Sequence, residues 1–132
     1  MANDNVILGI KNLNKEFRLR GDGFFGKPQT LHALSGVSLD VYEGETLGII
    51  GESGCGKSTL GRCIVGLHEP TSGEIIYNGQ DISKLKGAAR KPVHKDLQMI
   101  FQDSYSSLDP RFTAAASIEE PMVIHGIEPD AA

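Results

Sequence analysis

The 132-residue chain carries 13 basic against 17 acidic side chains, a formal net charge of −4, so it shows no positively charged nucleic-acid footprint. This length suits one domain with a hydrophobic core. No apolar run approaches the roughly 20 residues that a membrane-spanning helix needs. Residues 1–5 lack the basic-then-apolar pattern of a secretory signal, so none is expected.

The first third of the chain is predicted to be rich in β-structure. Residues 6–10 are an apolar strand candidate, and residues 11–17 continue it after a bend. Three glycines and a proline within residues 18–30 predict a loop. Residues 31–42 alternate apolar and polar side chains, as a half-buried strand does.

A strand, a glycine-rich loop and a helix are predicted next. A tight turn at residues 43–45 leads into a buried strand at 46–50, and residues 60–67 are predicted to be helical. Between them lies a sequence that fits the pattern G-x-x-x-x-G-K-[ST]. It consists of Gly51, Glu52, Ser53, Gly54, Cys55, Gly56, Lys57, Ser58 and Thr59.

This pattern, the P-loop, indicates phosphate binding. Its glycines let the backbone curl so that successive amide N–H groups surround phosphate oxygens. Lys57 is expected to reach the terminal phosphates and Ser58 to ligate Mg²⁺, while the following helix directs its positive end at the anion. A glycine-rich surface turn is the alternative, but the flanking strand and helix favour a nucleoside triphosphate site.

The second half of the chain alternates short elements with turns. Residues 69–73 predict a turn, 74–77 a strand, and Asn78-Gly79 a further turn or hairpin. Residues 81–96 are predicted to include a short helix capped by Asp81 or Ser83.

Two more elements are predicted near the end of the sequence. Residues 97–101 read as a buried strand that ends at Gln102. Residues 114–124 are predicted to be helical until Pro121 interrupts them. The expected fold class is α/β, with a mixed sheet built around one strand–P-loop–helix unit.

Several further side chains allow both a functional and a structural interpretation. Gln102 is a candidate for positioning water or metal, because parallel strands present their ends to a ligand crevice, but it equally fits a residue that merely ends a strand. Phe17 fits either a ring that stacks on adenine or a core residue. Cys55 and Cys63 are expected to be small packing residues rather than a disulfide or a metal site. Surface or packing roles are expected for the histidines, which are His32, His68, His94 and His125.

Five segments carry a family resemblance. They are residues 12–17, 31–39, 44–59, 73–82 and 99–111. Together they resemble the N-terminal part of the ATPase subunit of ATP-binding cassette (ABC) transporters, and more narrowly the oligopeptide and dipeptide importer branch. The resemblance covers essentially the whole chain. Residues 99–111 are the most branch-specific, although Ser104 and Asp109 stand where peptide importers usually have proline and asparagine, and nickel importers have similar segments.

The resemblance implies a P-loop NTPase domain with an antiparallel β-subdomain joined to a strand–P-loop–helix core, incomplete in this chain. Residues 1–111 match its N-terminal part and 112–132 the start of a helical subdomain. Phe17 matches the aromatic that packs on adenine, and residues 51–59 match the Walker A loop that binds ATP. Lys57 and Gln102 are expected to carry the catalytic role, and Ser58 and Gln102 are the expected Mg²⁺ contacts.

The resemblance also implies partners. These are transmembrane permease subunits, a second identical or different ATPase subunit, and indirectly an extracytoplasmic substrate-binding protein. The expected location is peripheral, on the cytoplasmic face of the cell membrane. No nucleic-acid partner is expected.

Some family motifs do not occur in the sequence. After residue 60 there is no run of four apolar residues followed by Asp-Glu, and no Leu-Ser-Gly-Gly-Gln-like signature. We therefore expect an N-terminal fragment that binds nucleotide weakly at best and does not hydrolyse it alone. A nickel importer of the same branch and a P-loop or ABC ATPase without a transport role remain alternatives.

Overall fold

The computed structural model describes residues 5–19, 28–103 and 107–127. The chain divides into two compact units, Met1–Lys86 and Gly87–Ala132. Most of the predicted loop at 18–30 lies outside the described residues, as does Ser104. Among the described residues no helix is both long and apolar enough to cross a bilayer.

The first unit is built on a four-stranded antiparallel sheet. Its strands are β1 (Val6–Leu19), β2 (Gln29–Tyr42), β3 (Ser72–Tyr77) and β4 (Gln80–Asp81), in the order β2-β1-β3-β4. One helix, α1 (Lys57–Ile64), belongs to this unit. The buried apolar side chains of the sheet and helix are Ile10, Leu13, Leu34, Leu60, Cys63 and Ile75.

The two long strands, β1 and β2, agree with the predictions made from the sequence. In β2, Val37, Leu39 and Val41 are half-buried and alternate with exposed residues, so the predicted half-buried strand is confirmed. The bend predicted after residue 10 is also present, because the pairing register of β1 with β2 shifts between Ile10 and Leu13. Asn12 lies at this bulge with a φ of 46° and donates its N–H to Ser38 Oγ at 2.9 Å.

The predicted hairpin at Asn78-Gly79 is confirmed. Tyr77 pairs with Gln80, so only two residues join β3 to β4. Asn78 and Gly79 have φ values of 47° and 79°, the left-handed pair that a type I′ turn requires.

The helix predicted within residues 81–96 begins later than expected. A 3₁₀ turn spans Gly87–Arg90 and α2 spans Lys91–Asp96, with Arg90 at its N-cap. The prediction that Asp81 or Ser83 caps a helix is wrong. Asp81 lies in β4 and accepts hydrogen bonds from Ser83 N at 2.9 Å and Ser83 Oγ at 2.5 Å, which closes a local turn after the strand. These bonds hold the pKa of Asp81 below its usual value.

Neither predicted buried strand at 46–50 or 97–101 is a strand in the structure. Ile50 is 98% exposed and Ile100 96% exposed. A strand depends on ladder hydrogen bonds to a neighbour, and among the described residues neither segment has such a neighbour. An apolar run indicates that a segment prefers burial, but it cannot supply the partner strand.

The second unit contains α2 and α3 (Ala114–His125). Thr113 caps α3 by accepting the N–H of Ala116 on its side-chain oxygen at 3.2 Å, and Gly126 ends it with a φ of 64°. The prediction that Pro121 interrupts this helix is wrong, because α3 continues to His125. Favourable caps at both ends offset the one backbone hydrogen bond that proline cannot donate.

Candidate functional site

The P-loop, residues 51–59, follows the coil at 45–50 and includes the first residues of α1. Cys55 N donates to Glu52 O at 3.3 Å, which closes a turn, and Gly54 and Gly56 adopt φ values of 83° and 82°. Such values are unfavourable for residues with a Cβ, so the loop path depends on glycine at these positions. The loop and helix of the predicted strand–loop–helix unit are present, with α1 starting at Lys57 rather than at residue 60.

Gly56 anchors the loop on the sheet. A Cβ placed on Gly56 would lie 2.1 Å from Ala33 O and 3.2 Å from Leu34 Cδ2. The loop backbone therefore packs directly on β2, with no space for any side chain. A Cβ on Gly54 would meet nothing within 4 Å.

The ammonium group of Lys57 lies inside the curve of the loop. Its Nζ donates to Gly51 O at 2.7 Å and to Glu52 O at 3.0 Å, and it is 3.7 Å from Cys55 Sγ. The side chain is half-buried, so the positive charge is held at the loop instead of extending into solvent.

The first turn of α1 adds backbone donors. The first helical hydrogen bond after the N-cap runs from Leu60 N to Gly56 O at 3.2 Å. The N–H groups of Lys57, Ser58 and Thr59 therefore have no intrahelical acceptor. No acidic residue lies in this turn, so the positive end of the helix dipole is not offset locally. A charged ammonium and three amides at one place suit a multiply charged anion such as a phosphate chain.

Both cysteines are free thiols. Cys63 is buried in α1, as the packing prediction expects, and burial raises the pKa of its thiol. The packing prediction is wrong for Cys55, which is exposed in the P-loop.

Phe17 lies near the end of β1 and is half-buried. Its ring centroid is 5.3 Å from that of His68 at an interplanar angle of 79°, an edge-to-face contact. Lys15 Nζ lies 4.9 Å from the same centroid. The contact of Lys15 with Phe17 could have been predicted from sequence, because the two residues are two apart and so lie on the same face of the strand. No sequence signal near Phe17 predicts the contact with His68.

The ladder between β1 and β2 brings Phe17 towards the P-loop. Phe17 pairs with Leu31, and two residues further along β2 the carbonyl of Ala33 faces Gly56. Two residues of strand span about 7 Å. The aromatic residue and the P-loop therefore lie on the same part of the first unit.

Gln102 is exposed and lies in a bend of the second unit rather than at the end of a strand. Its predicted contact with Mg²⁺ or water stays a prediction, as do the nucleotide contacts of residues 51–59 and Phe17. Further along, Arg111 forms an ion pair with Asp109 at 2.6 Å, and its guanidinium holds the pKa of Asp109 below its usual value. No group of three or more His, Cys, Asp or Glu side chains suited to holding a metal occurs within residues 5–19, 28–103 and 107–127.

Comparison with known proteins identifies the family. The family model "ABC transporter" matches residues 34–129. The oligopeptide transport ATP-binding protein AppF of Bacillus subtilis (strain 168) is 46% identical over 127 residues, which cover 96% of this chain and 39% of AppF. The glutathione import ATP-binding protein GsiA of Pectobacterium atrosepticum is 45% identical over 126 residues, covering 96% of this chain and 20% of GsiA.

Solved structures agree with these sequence matches. The ATP-binding cassette MJ0796, in a dimeric post-hydrolysis state bound to ADP and Pi, superposes with a TM-score of 0.75 at 27% identity. The match covers 95% of this chain and 50% of that one. The predicted α/β fold class, a partial P-loop NTPase domain, is thereby confirmed, although the sheet of the described residues is antiparallel rather than mixed. The chain spans less than half the length of the curated relatives described here, and it belongs to the ABC transporter family.

Proposed function

We propose that this chain forms the ATP-binding part of the energy-coupling subunit of an ABC importer for oligopeptides or dipeptides. The observation that carries the proposal is the arrangement at the P-loop. The ammonium of Lys57 is held between two loop carbonyls, next to the amides that begin α1. The names of AppF and GsiA support a peptide substrate, since glutathione is itself a short peptide.

The chain's own residues suit the phosphates of a bound nucleotide. Lys57 exchanges its hydrogen bonds to Gly51 and Glu52 for phosphate oxygens, and the amides of α1 donate to the same anion. Phe17 offers an aromatic surface to the base. Glycine at position 56 keeps this loop against β2, so the donors are fixed before the ligand arrives.

The metal and the water are assigned to two further side chains. Ser58 is exposed in the first turn of α1, and its hydroxyl would hold Mg²⁺. Gln102 would orient water or contact the metal. MgATP, when bound, supplies the phosphoanhydride bond whose hydrolysis drives transport in the whole protein.

The partners follow from the same proposal. Transmembrane permease subunits, a second ATPase subunit and, indirectly, a substrate-binding protein complete the importer at the cytoplasmic face of the membrane. Phe101, Leu108 and Phe112 are 44%, 64% and 53% exposed in the second unit, which supports a protein-binding role for this part of the chain. The dimeric state of MJ0796 supports pairing with a second ATPase subunit.

We further propose that this chain alone does not hydrolyse ATP. The sequence contains no apolar run ending in the Asp-Glu pair that would hold Mg²⁺ and activate water. The test is the phosphate release rate of the purified chain with MgATP. A rate clearly above background that Lys57→Ala abolishes would contradict this part of the proposal.

The transport role is tested in the organism that carries the gene. Lys57→Ala is introduced at the native locus, and Lys84→Ala, which changes an exposed lysine after β4, is the matched control. Uptake of a labelled dipeptide, a labelled tetrapeptide and Ni²⁺ is then measured. We expect Lys57→Ala to abolish peptide uptake and Lys84→Ala to retain it.

The other outcomes of this experiment separate the alternatives. Loss of nickel uptake alone would assign the chain to a nickel importer. Unchanged uptake of all three substrates in Lys57→Ala would contradict a role in transport through this site.

A further inference from the structure

We propose that His68 is a positioning residue for the nucleobase. Together with Lys15 it holds the Phe17 ring in one orientation, so that a purine base stacks on the exposed part of that ring. This inference rests on the proposed function, because it requires a nucleoside triphosphate in the P-loop.

Two contacts restrict the Phe17 ring. The ring of His68 meets it edge to face at a centroid distance of 5.3 Å, and Lys15 Nζ lies 4.9 Å from its centroid. Both geometries are favourable aromatic interactions. Phe17 is only half-buried, so these contacts add to the restraint that the core places on its ring.

His68 is itself held by the backbone. Its N–H donates to Arg62 O in the last turn of α1 at 3.1 Å. The adjoining carbonyl of Glu69 accepts from Lys15 Nζ at 2.7 Å, and Thr71 N donates to Asn14 O at 2.8 Å. The segment that carries His68 is therefore tied both to α1 and to the strand that carries Phe17.

This arrangement connects the two ends of the nucleotide site. The N-terminus of α1 presents Lys57 and the phosphate-directed amides, and its last turn anchors His68. One helix thus sets the position of the phosphate donors and the residue that orients the base-stacking ring. Removing the His68 ring is expected to affect binding of the base and leave the phosphate donors unchanged.

The Phe17 ring favours bases with a large stacking area and does not discriminate between the hydrogen-bonding edges of different bases. A phenyl ring has no hydrogen-bonding group with which to distinguish adenine from guanine. The expected ligand class is therefore a purine nucleoside triphosphate, with pyrimidine triphosphates bound less tightly.

The test compares a ligand that has a base with one that has none. The full chain and its variants are titrated calorimetrically with MgATP and with magnesium tripolyphosphate. We expect His68→Ala to weaken MgATP binding about two- to tenfold, the worth of one aromatic pair, and to leave tripolyphosphate binding unchanged. His68→Phe should restore the MgATP affinity, and His94→Ala, at an exposed histidine of α2, should match the wild type.

The outcomes separate failure of this inference from failure of the proposed function. If Lys57→Ala weakens both ligands while His68→Ala changes neither, the inference is wrong and the P-loop assignment stands. Equal loss of both ligands in His68→Ala, or no recovery in His68→Phe, would also overturn the positioning role. If the wild type binds neither ligand, or Lys57→Ala binds both as the wild type does, the proposed function itself is contradicted.

Discussion

Substituting alanine for Gly56 tests whether the P-loop is docked on the sheet. The new Cβ would lie 2.1 Å from Ala33 O, closer than any normal non-bonded contact, in a residue whose φ is 82°. The loop must then leave β2 or force β2 to move. Gly54→Ala is a matched control, since its φ is 83° and its Cβ would meet nothing within 4 Å.

The difference between the two variants in free energy of unfolding measures the effect of the steric clash alone. A non-glycine residue in the left-handed region costs about 1–2 kcal/mol, and both variants bear this cost. Forcing an extra carbon into a packed site adds about 1–3 kcal/mol, which only Gly56→Ala bears. We therefore expect Gly56→Ala to reduce the free energy of unfolding by about 2–5 kcal/mol and Gly54→Ala by about 1–2 kcal/mol.

Urea denaturation without nucleotide, followed by circular dichroism, measures both values. The unfolding midpoint of Gly56→Ala should fall well below that of Gly54→Ala. Equal midpoints would refute the packing of the loop on Ala33, and with it the argument that the phosphate donors are held in place by the sheet.

Three further predictions follow from individual contacts. Ser83→Ala should destabilise the chain by about 1 kcal/mol at neutral pH, the usual worth of a hydrogen bond. Because the bonds from Ser83 lower the folded pKa of Asp81, this stabilisation is present above the unfolded carboxyl pKa and is lost as the pH falls through the folded pKa. Urea midpoints of the wild type and Ser83→Ala that differ equally at pH 7 and pH 2 would contradict it. In the native chain a thiol reagent should modify exposed Cys55 rapidly and buried Cys63 only after unfolding, because burial raises the pKa of the Cys63 thiol. Rapid reaction of both thiols would be inconsistent with the packing of α1. Pro121→Ala should stabilise α3 by up to about 3 kcal/mol and raise the helical circular dichroism signal, whereas a decrease would mean that proline is required there.

Local rules predicted the parts of the fold that depend on neighbouring residues. Asn78-Gly79 specifies a two-residue hairpin because both residues tolerate positive φ. Alternating side chains identified β2, and the P-loop was visible because its residues are contiguous. Each of these features is encoded within a few positions of the chain.

The failures arise where a structure depends on distant residues. The apolar run at 46–50 indicates a preference for burial, but a strand also needs a hydrogen-bonding neighbour, and no described residue provides one. At Pro121 the error has a local cause instead, because Thr113 and Gly126 cap α3 on either side of the proline that was expected to interrupt it. The contact between Phe17 and His68 joins β1 to the segment after α1, so no sequence window contains both.

The most direct test of the nucleotide site is the affinity of the chain for MgATP when Lys57 is changed. Lys57→Ala removes the charged hydrogen-bond donor at the loop, and Lys84→Ala removes an exposed lysine of the same unit as a control. A hydrogen bond from a charged group is worth about 1.5–3 kcal/mol, so Lys57→Ala should weaken binding at least about tenfold while Lys84→Ala binds as the wild type does. Equal affinities of the wild type and Lys57→Ala would contradict the assignment of this loop as the triphosphate site.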